Sequence, residues 1–440
     1  MIQLPDLSAA IGQTIGDPRR AATIAENAVG DLSRHGQTFN TFIGVDRKPA
    51  PKPDRVKDSL LGCVFSVKDN IDVAGLVTTC GSRVFKDAPP ASKDSWIVAA
   101  LRDAGAQCIG KNNMHEFALG DTGENPVFGT TANPWDQTRN CGGSSGGSAS
   151  AVALRQVHLA IGTDSGGSVR VPAGFTGIVG FKPTPGTLPL AGVSGAAWTI
   201  DNLGLFTATV TDLSIIWDAI VGPAIPAKPK YLRLGYLADD SMGLVEPEVW
   251  ARYLGAIEML RNAGVKMVGI SMEGFADGPF ICMSIAYPEI ASLHYELLRD
   301  RPDLYDPNIR GLISLGDIWS SRVYLDAQRM RTVFSRRFAD VLAPFDAIVT
   351  PTAAVQPPKI GSPARVAADA LEKAAYTNQR FTVLFNIIGY PALSLPSGFD
   401  GDGLPTAVQI IGRPGADGGL LDIALGVEEI FGVMPPPVVP

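Results

Sequence analysis

The stretch that constrains this chain most runs from Asn140 to Thr184, NCGGSSGGSASAVALRQVHLAIGTDSGGSVRVPAGFTGIVGFKPT. It holds two serines set among glycines, Ser144 in GGSSGG and Ser168 in DSGGSVR, 24 residues apart. Between them, Ala149 to Leu154 has helix-forming composition, and Val157, Leu159 and Ile161 alternate as in a strand. A helix and a strand of this length allow both serine loops to reach the same end of a sheet. Glycine-rich turns let the backbone approach a ligand closely and present successive N–H groups, as an oxyanion site requires. One such loop is ordinary turn punctuation. Two of them, each holding a serine and bracketing a short αβ unit, point to chemistry.

Upstream, Leu61 to Asp72 reads LGCVFSVKDNID. A run this apolar predicts a buried strand with Lys68 at its C-terminal end, where ligands collect in open α/β sheets. Taken alone, a strand-end lysine is a solvated side chain. Asp94 to Gly105 predicts an amphipathic helix and Ala106 to Gly110 a strand, which together with the Lys68 strand make a βαβ unit. The intervening GAQCIGKN, Gly105 to Asn112, nearly spells a phosphate-binding loop. It lacks the Ser or Thr that meets magnesium and precedes no clear helix, so it is not assigned to phosphate.

GGSSGGSAS and GTDSGGSVRVPAGFTGIVGFKPT resemble the Gly/Ser-rich core of the amidase signature family, whose members cleave amides with a Ser-cis-Ser-Lys triad. Lys68 in VFSVKDNIDVAG matches that family's upstream lysine. The resemblance implies that Ser168 is the nucleophile, that Ser144 follows a cis peptide bond from Gly143 and relays the proton, and that Lys68 is the base. It further implies an oxyanion hole from the N–H groups of Ser165, Gly166, Gly167 and Ser168, with Ser145 hydrogen-bonding within the triad and Asp164 bracing the loop. Arg170 either braces that loop or orients a substrate carboxylate. Asn113-Met114-His115-Glu116 resembles the family's NM-x-E segment, where His115 is a structural histidine. The likeness runs from about Leu61 to Ile430 and is sharp from 61 to 212. The region from about 230 to 345 corresponds to the family's variable, substrate-shaping part.

Charged residues are 18% of the chain, below the ~25% of an average globular protein, while 48 glycines and 34 prolines signal many turns. The net charge of −7 offers no basic surface for nucleic acid or an anionic membrane. The N-terminus lacks a secretory pattern and no apolar run is long enough to span a bilayer, so a cytoplasmic protein is expected. Five cysteines without a C-x-x-C pair indicate neither a disulfide framework nor a zinc site. Cys141, beside the serine loop, reads as a buried small hydrophobe.

Further segments follow from periodicity and punctuation. Leu7 to Gly36 is helical, with Asp17-Pro18 starting its second part; FNTFIGV ends a strand at Val45; 47–57 is a connection. Thr211-Asp212 caps a helix from Leu213 to Val221, and Pro223 to Pro229 is a linker. Pro247 to Ala263, Ser320 to Val341 and Leu420 to Ile430 are helices; Phe345 to Pro351, Pro391 to Pro396 and Leu404 to Gly412 are strands.

The expected architecture is one α/β/α domain over residues 1–440, a central mixed sheet flanked by helices on both faces. The expected activity is cofactor-free and metal-free hydrolysis of a small carboxamide, with no nucleic-acid or membrane partner and a homodimer allowed. Two alternatives stay open. One is the glutamine-hydrolysing subunit of a tRNA-dependent amidotransferase, whose core has the same signature. The other is an α/β-hydrolase esterase, because Gly142 to Gly146 also fits the G-x-S-x-G elbow with Ser144 as nucleophile and His158 or His294 as base.

Overall fold

The computed structural model describes residues 4–15, 19–35, 38–46, 58–223, 232–239, 241–243, 245–361 and 378–438. The Asp17-Pro18 start signal, the connection 47–57 and the linker beyond Pro223 lie outside the described residues. In chain order the strands are β1 Phe42–Val45, β2 Val64–Lys68, β3 Gln107–Asn112, β4 Leu159–Thr163, β5 Val179–Lys182, β6 Leu203–Thr207, β7 Arg233–Leu237, β8 Lys266–Ile270, β9 Ala347–Pro351, β10 Ala392–Phe399 and β11 Pro405–Ile411. They form one sheet in the order β1-β3-β2-β4-β6-β5-β10-β11-β9-β7-β8. β2 runs parallel to β3 and β4, and β7 to β8 and β9, while the other neighbours are antiparallel. The sheet is therefore mixed, as expected.

The helices are α1 Leu7–Thr14, α2 Arg19–His35, α3 Trp96–Asp103, α4 Gly146–Ala153, α5 Arg170–Thr176, α6 Val210–Ile220, α7 Pro247–Asn262, α8 Gly278–Asp300, α9 Pro307–Leu315 and α10 Ser321–Leu342. A short helix at Val383–Ile387 and one at Asp417–Phe431 complete the α-helices among the described residues. Both faces of the sheet are covered, because successive strand residues point to opposite sides. Val64, Ala160 and Phe206 pack with Ala149, Ala151 and Val152 of α4. Their neighbours Phe65, Val67, Leu159, Ile161 and Leu205 pack instead with Leu101 of α3 and Trp217 of α6. The same alternation sets Lys68 on the face of Val64, the α4 side.

One sequence expectation is corrected and one is met. The helix expected from Leu213 starts one turn earlier, at Val210, because Thr209 caps it by accepting the Asp212 N–H at 3.0 Å. Leaving β6 at Thr207, the chain needs only a short turn before the helix can begin. The Gly105–Asn112 segment forms no phosphate loop, since Lys111 and Asn112 lie inside β3 and Lys111 is buried 3.3 Å from Asp69.

Helix α4 sits directly on the backbone of its neighbours. Gly147 N–H donates to the Asn113 carbonyl at 3.1 Å, and a Cβ on Gly147 would lie 2.6 Å from Asn113 N and 2.7 Å from Thr41 O. Backbone cannot step aside as a flexible side chain does. Gly147→Ala is therefore expected to cost about 1–3 kcal/mol, read as a lowered urea midpoint. An unchanged midpoint would mean that α4 can lift away without loss.

Candidate active site

Lys68 ends a strand whose five residues are all buried, and its own side chain is fully enclosed. Its Nζ donates to Ser144 Oγ at 2.7 Å and lies 2.8 Å from Thr163 Oγ1. No carboxylate comes within ion-pair distance of it among the described residues. Burial disfavours the ammonium and pulls the amine down to about 7, with Asp164 and Asp201 opposing that drop. Near neutrality a large share of Lys68 is thus an unprotonated amine with a lone pair to offer.

Ser144 is placed by the turn before α4. The Gly143–Ser144 peptide is cis, and the Ser144 carbonyl accepts the His115 N–H at 3.1 Å. Glycine is required at this crossing, where a Cβ on Gly143 would sit 2.6 Å from Gly123 N. Ser145 Oγ donates to the Thr163 carbonyl at 3.2 Å rather than to Lys68, Ser144 or Ser168. That approach is open because β4 has glycine at 162, where a Cβ would lie 2.9 Å from Ser145 Oγ. His115 is half-buried and held neutral, its imidazole pushed down to about 4 by desolvation. The Cys141 thiol, pushed up to about 12 by burial, donates to the Thr131 carbonyl and is no nucleophile near pH 7.

Ser168 stands just before α5, 5% exposed, in a loop built around Asp164. The Asp164 carboxylate accepts the N–H groups of Gly167 at 2.8 Å, Val169 at 3.2 Å and Arg170 at 3.4 Å. Burial on its own would raise this carboxyl, but the Arg170 guanidinium, Lys182 and Asn386 hold it at about 2. Ser168 Oγ itself bonds neither Lys68 nor Ser144 among the described residues, whereas Lys68 and Ser144 are joined directly. Residues 164–168 are tied to the lysine through Thr163, which begins the loop.

Arg170 is fully buried and all five of its donors are engaged. Nε and one Nη2 donor meet Asp164 at 3.0 and 2.8 Å, the other Nη2 donor meets Asn386 at 2.6 Å, and Nη1 meets the Thr382 carbonyl at 2.9 Å and Gln409 at 2.6 Å. None is left for a substrate carboxylate, so the loop-bracing geometry is the one observed. The oxyanion expectation is corrected at one position. The Gly167 N–H is held by Asp164, while those of Ser165, Gly166 and Ser168 have no acceptor among the described residues.

Several partners have no place in the sequence reading. Thr163 lies inside the GTDSGGS motif and is within reach of it. Thr382, which donates to the Gly166 carbonyl at 2.7 Å, and Asn386 and Gln409, which meet Arg170, lie more than two hundred residues downstream with no local signal. Asp201 accepts the Ser165 hydroxyl from 36 residues further along, beyond β5 and just before β6.

The hydrolase geometry is absent among the described residues. Ser144 faces Lys68, His158 has Val64 N–H on Nδ1 and the Pro5 carbonyl on Nε2, and His294 meets the Tyr305 hydroxyl at 3.0 Å. No described helix is long and apolar enough to cross a membrane.

A family model described as Amidase matches residues 45–421. The A subunit of the glutamyl-tRNA(Gln) amidotransferase of Symbiobacterium thermophilum is 34% identical, the alignment covering 93% of each chain. Among solved structures, one described as a crystal structure of amidase superposes with a TM-score of 0.85 at 29% identity, over 97% of this chain and all of that one. A chain from an inhibitor-bound vestigial complex, tied to the origins of an s-triazine catabolic enzyme, gives 0.86 at 28% identity over 98% and 99%. A match over most of the sequence, with the same fold throughout, makes this chain a member of the amidase signature family, enzymes that act on amide C–N bonds.

Proposed function

We propose that the chain hydrolyses a small-molecule carboxamide through an acyl-enzyme on Ser168, with Ser144 as proton relay and Lys68 as base. The observation that carries this reading is the buried 2.7 Å bond between Lys68 Nζ and Ser144 Oγ, with no described carboxylate in ion-pair reach to keep the amine charged. The amine lone pair takes the Ser144 proton while Ser144 Oγ takes that of Ser168, whose oxygen forms the bond to the carbonyl carbon. The oxyanion is met by the N–H groups of Ser165, Gly166 and Ser168. Collapse breaks the C–N bond, and the proton on Lys68 returns through Ser144 to the departing nitrogen. Water then attacks the ester by the same route and frees Ser168.

The curated relatives support a second reading, in which the amide is glutamine and the ammonia passes to a partner protein. A panel of glutamine, ureido compounds, anilides and simple amides, assayed for ammonia or amine release with and without the other amidotransferase subunits, separates the two. Release from the isolated chain on a non-glutamine amide supports the first reading. Glutaminase activity confined to the assembled complex supports the second.

Ser168→Ala is expected to abolish labelling by a fluorophosphonate probe, followed by peptide mass mapping, and Lys68→Ala to remove most activity. A Ser168→Ala protein that still forms a serine acyl-enzyme refutes the assignment. Because the base must be unprotonated and titrates at about 7, the rate should fall as pH drops below that value and level off above it. A rate that stays flat from about pH 5 to about pH 9 is incompatible with Lys68 as the base. Arg170→Ala leaves Asp164 an uncompensated buried charge and is expected to cost about 3–5 kcal/mol of stability, measured by denaturant unfolding, together with loss of labelling.

A further inference from the structure

The segment Ser194–Asp201 runs from the lysine side of the site to the serine side. At its start, Ser194 N–H donates to the Asn70 carbonyl at 2.8 Å and Asn70 Nδ2 returns a bond to the Ser194 carbonyl at 2.9 Å, two residues beyond Lys68. At its end, one oxygen of Asp201 accepts the Ser165 hydroxyl, and the other accepts the N–H groups of Ala196 at 2.7 Å and Ala197 at 3.0 Å. Between these ends, Thr199 is clamped by Glu289 of α8 through its N–H at 3.1 Å and its hydroxyl at 2.7 Å. Asp201 is only 8% exposed, and its carboxylate joins this segment directly to Ser165 of the nucleophile loop, while the Asn202 and Asn386 side chains bridge the Ile200 carbonyl to Asp164 at the start of that loop.

An oxyanion site works when its donors are fixed before the charge develops. Around Ser168 the loop is fixed at three points: Thr382 holds the Gly166 carbonyl, Asp164 holds the Gly167 N–H, and Asp201 holds the Ser165 side chain. Of these only Asp201 acts on Ser165, one of the residues whose N–H has no acceptor among the described residues. We propose that Asp201 is a positioning residue for catalysis, fixing the Ser165 and Gly166 N–H donors through the Ser165 hydroxyl. This rests on the reading of Ser168 as nucleophile.

The surroundings of Asp201 fit that role. Its charge acts electrostatically on Lys68 of β2 and on the Cys282 thiol of α8, which burial pushes up to about 12; the charges of Glu289, Arg331 and Asp164 also act on Cys282. Burial raises the Asp201 carboxyl to about 6, against the pull of Ser165, the two N–H groups and Lys68. It is therefore ionised at neutral pH, where it raises the affinity of Lys68 for a proton. Removing its charge should make Lys68 easier to deprotonate.

The test uses the full chain and a fluorophosphonate probe, with the labelling rate and the labelled peptide measured for wild type, Asp201→Asn, Ser165→Ala, Asp201→Glu and the Asp201→Asn/Ser165→Ala double variant, and thermal melts run alongside. Failure of wild type to label at Ser168 would overturn the nucleophile assignment, and this proposal with it. With Ser168 labelled in wild type, Asp201→Asn is expected to slow labelling by at least about tenfold, and Asp201→Glu to recover part of that loss. The double variant should be no slower than Asp201→Asn by more than about twofold, because one residue acts through the other. The acidic limb of the rate profile should move to lower pH in Asp201→Asn and stay in place in Ser165→Ala, a shift that a merely structural carboxylate would not produce. A labelling rate within about twofold of wild type, an unmoved limb, or additive losses would each overturn the proposal while leaving the nucleophile standing. If Asp201→Asn fails to melt as a folded protein, Ser165→Ala decides alone, a loss of about fivefold or more supporting the proposal and a smaller one overturning it.

Discussion

The arrangement depends first on a buried ion pair. Asp164 and Arg170 lie completely out of solvent, and charges in such a place are tolerable only when every lone pair and donor is met. Here the carboxylate gathers three backbone N–H groups and the guanidinium its five acceptors. Flexible, glycine-rich chain from Asp164 to Ser168 thereby becomes a fixed turn. The loop's rigidity comes from charge satisfaction rather than from apolar packing.

Against that fully compensated pair stands an amine that is left uncompensated. The chain buries Lys68 and Lys111 on neighbouring strands, yet Lys111 has Asp69 at 3.3 Å while Lys68 has two hydroxyls. The same residue type is ion-paired to a carboxylate in one place and, in the proposed mechanism, a proton acceptor in the other. What separates them is the presence of one carboxylate, a distinction that burial alone does not make. Lys182, also enclosed and pulled down to about 7 by burial, has a carbonyl neighbour and no hydroxyl among the described residues, so it lacks the hydroxyl relay proposed for Lys68.

Much of this is legible because it is local. The apolar run ending in Lys68, the two glycine-flanked serines and the α/β alternation all express periodicity or turn chemistry within a dozen residues. The cap of α6 falls two residues before its expected place, since Thr209 and Thr211 are equally good caps in isolation and only the end of β6 chooses between them. The fate of the Gly167 N–H is illegible, because a glycine-rich loop read as sequence offers every donor equally and Asp164 takes one of them. Thr382, Asn386 and Gln409 go unseen for a different reason. Their bonds span more than two hundred residues, and nothing in TVLFNIIG or AVQII announces a partner for an arginine so far upstream.

That separation shapes how the protein comes into being on the ribosome. Lys68, Ser144 and Ser168 all emerge early, but β5 gains its neighbour β10, and Arg170 its remaining acceptors, only when residues 382–411 have left the exit tunnel. Until then Asp164 and Arg170 have no dry, fully satisfied place to go, and the nascent chain holds Ser168 in a loop without a frame. A chain released prematurely would thus carry Ser168 without the frame that fixes its loop.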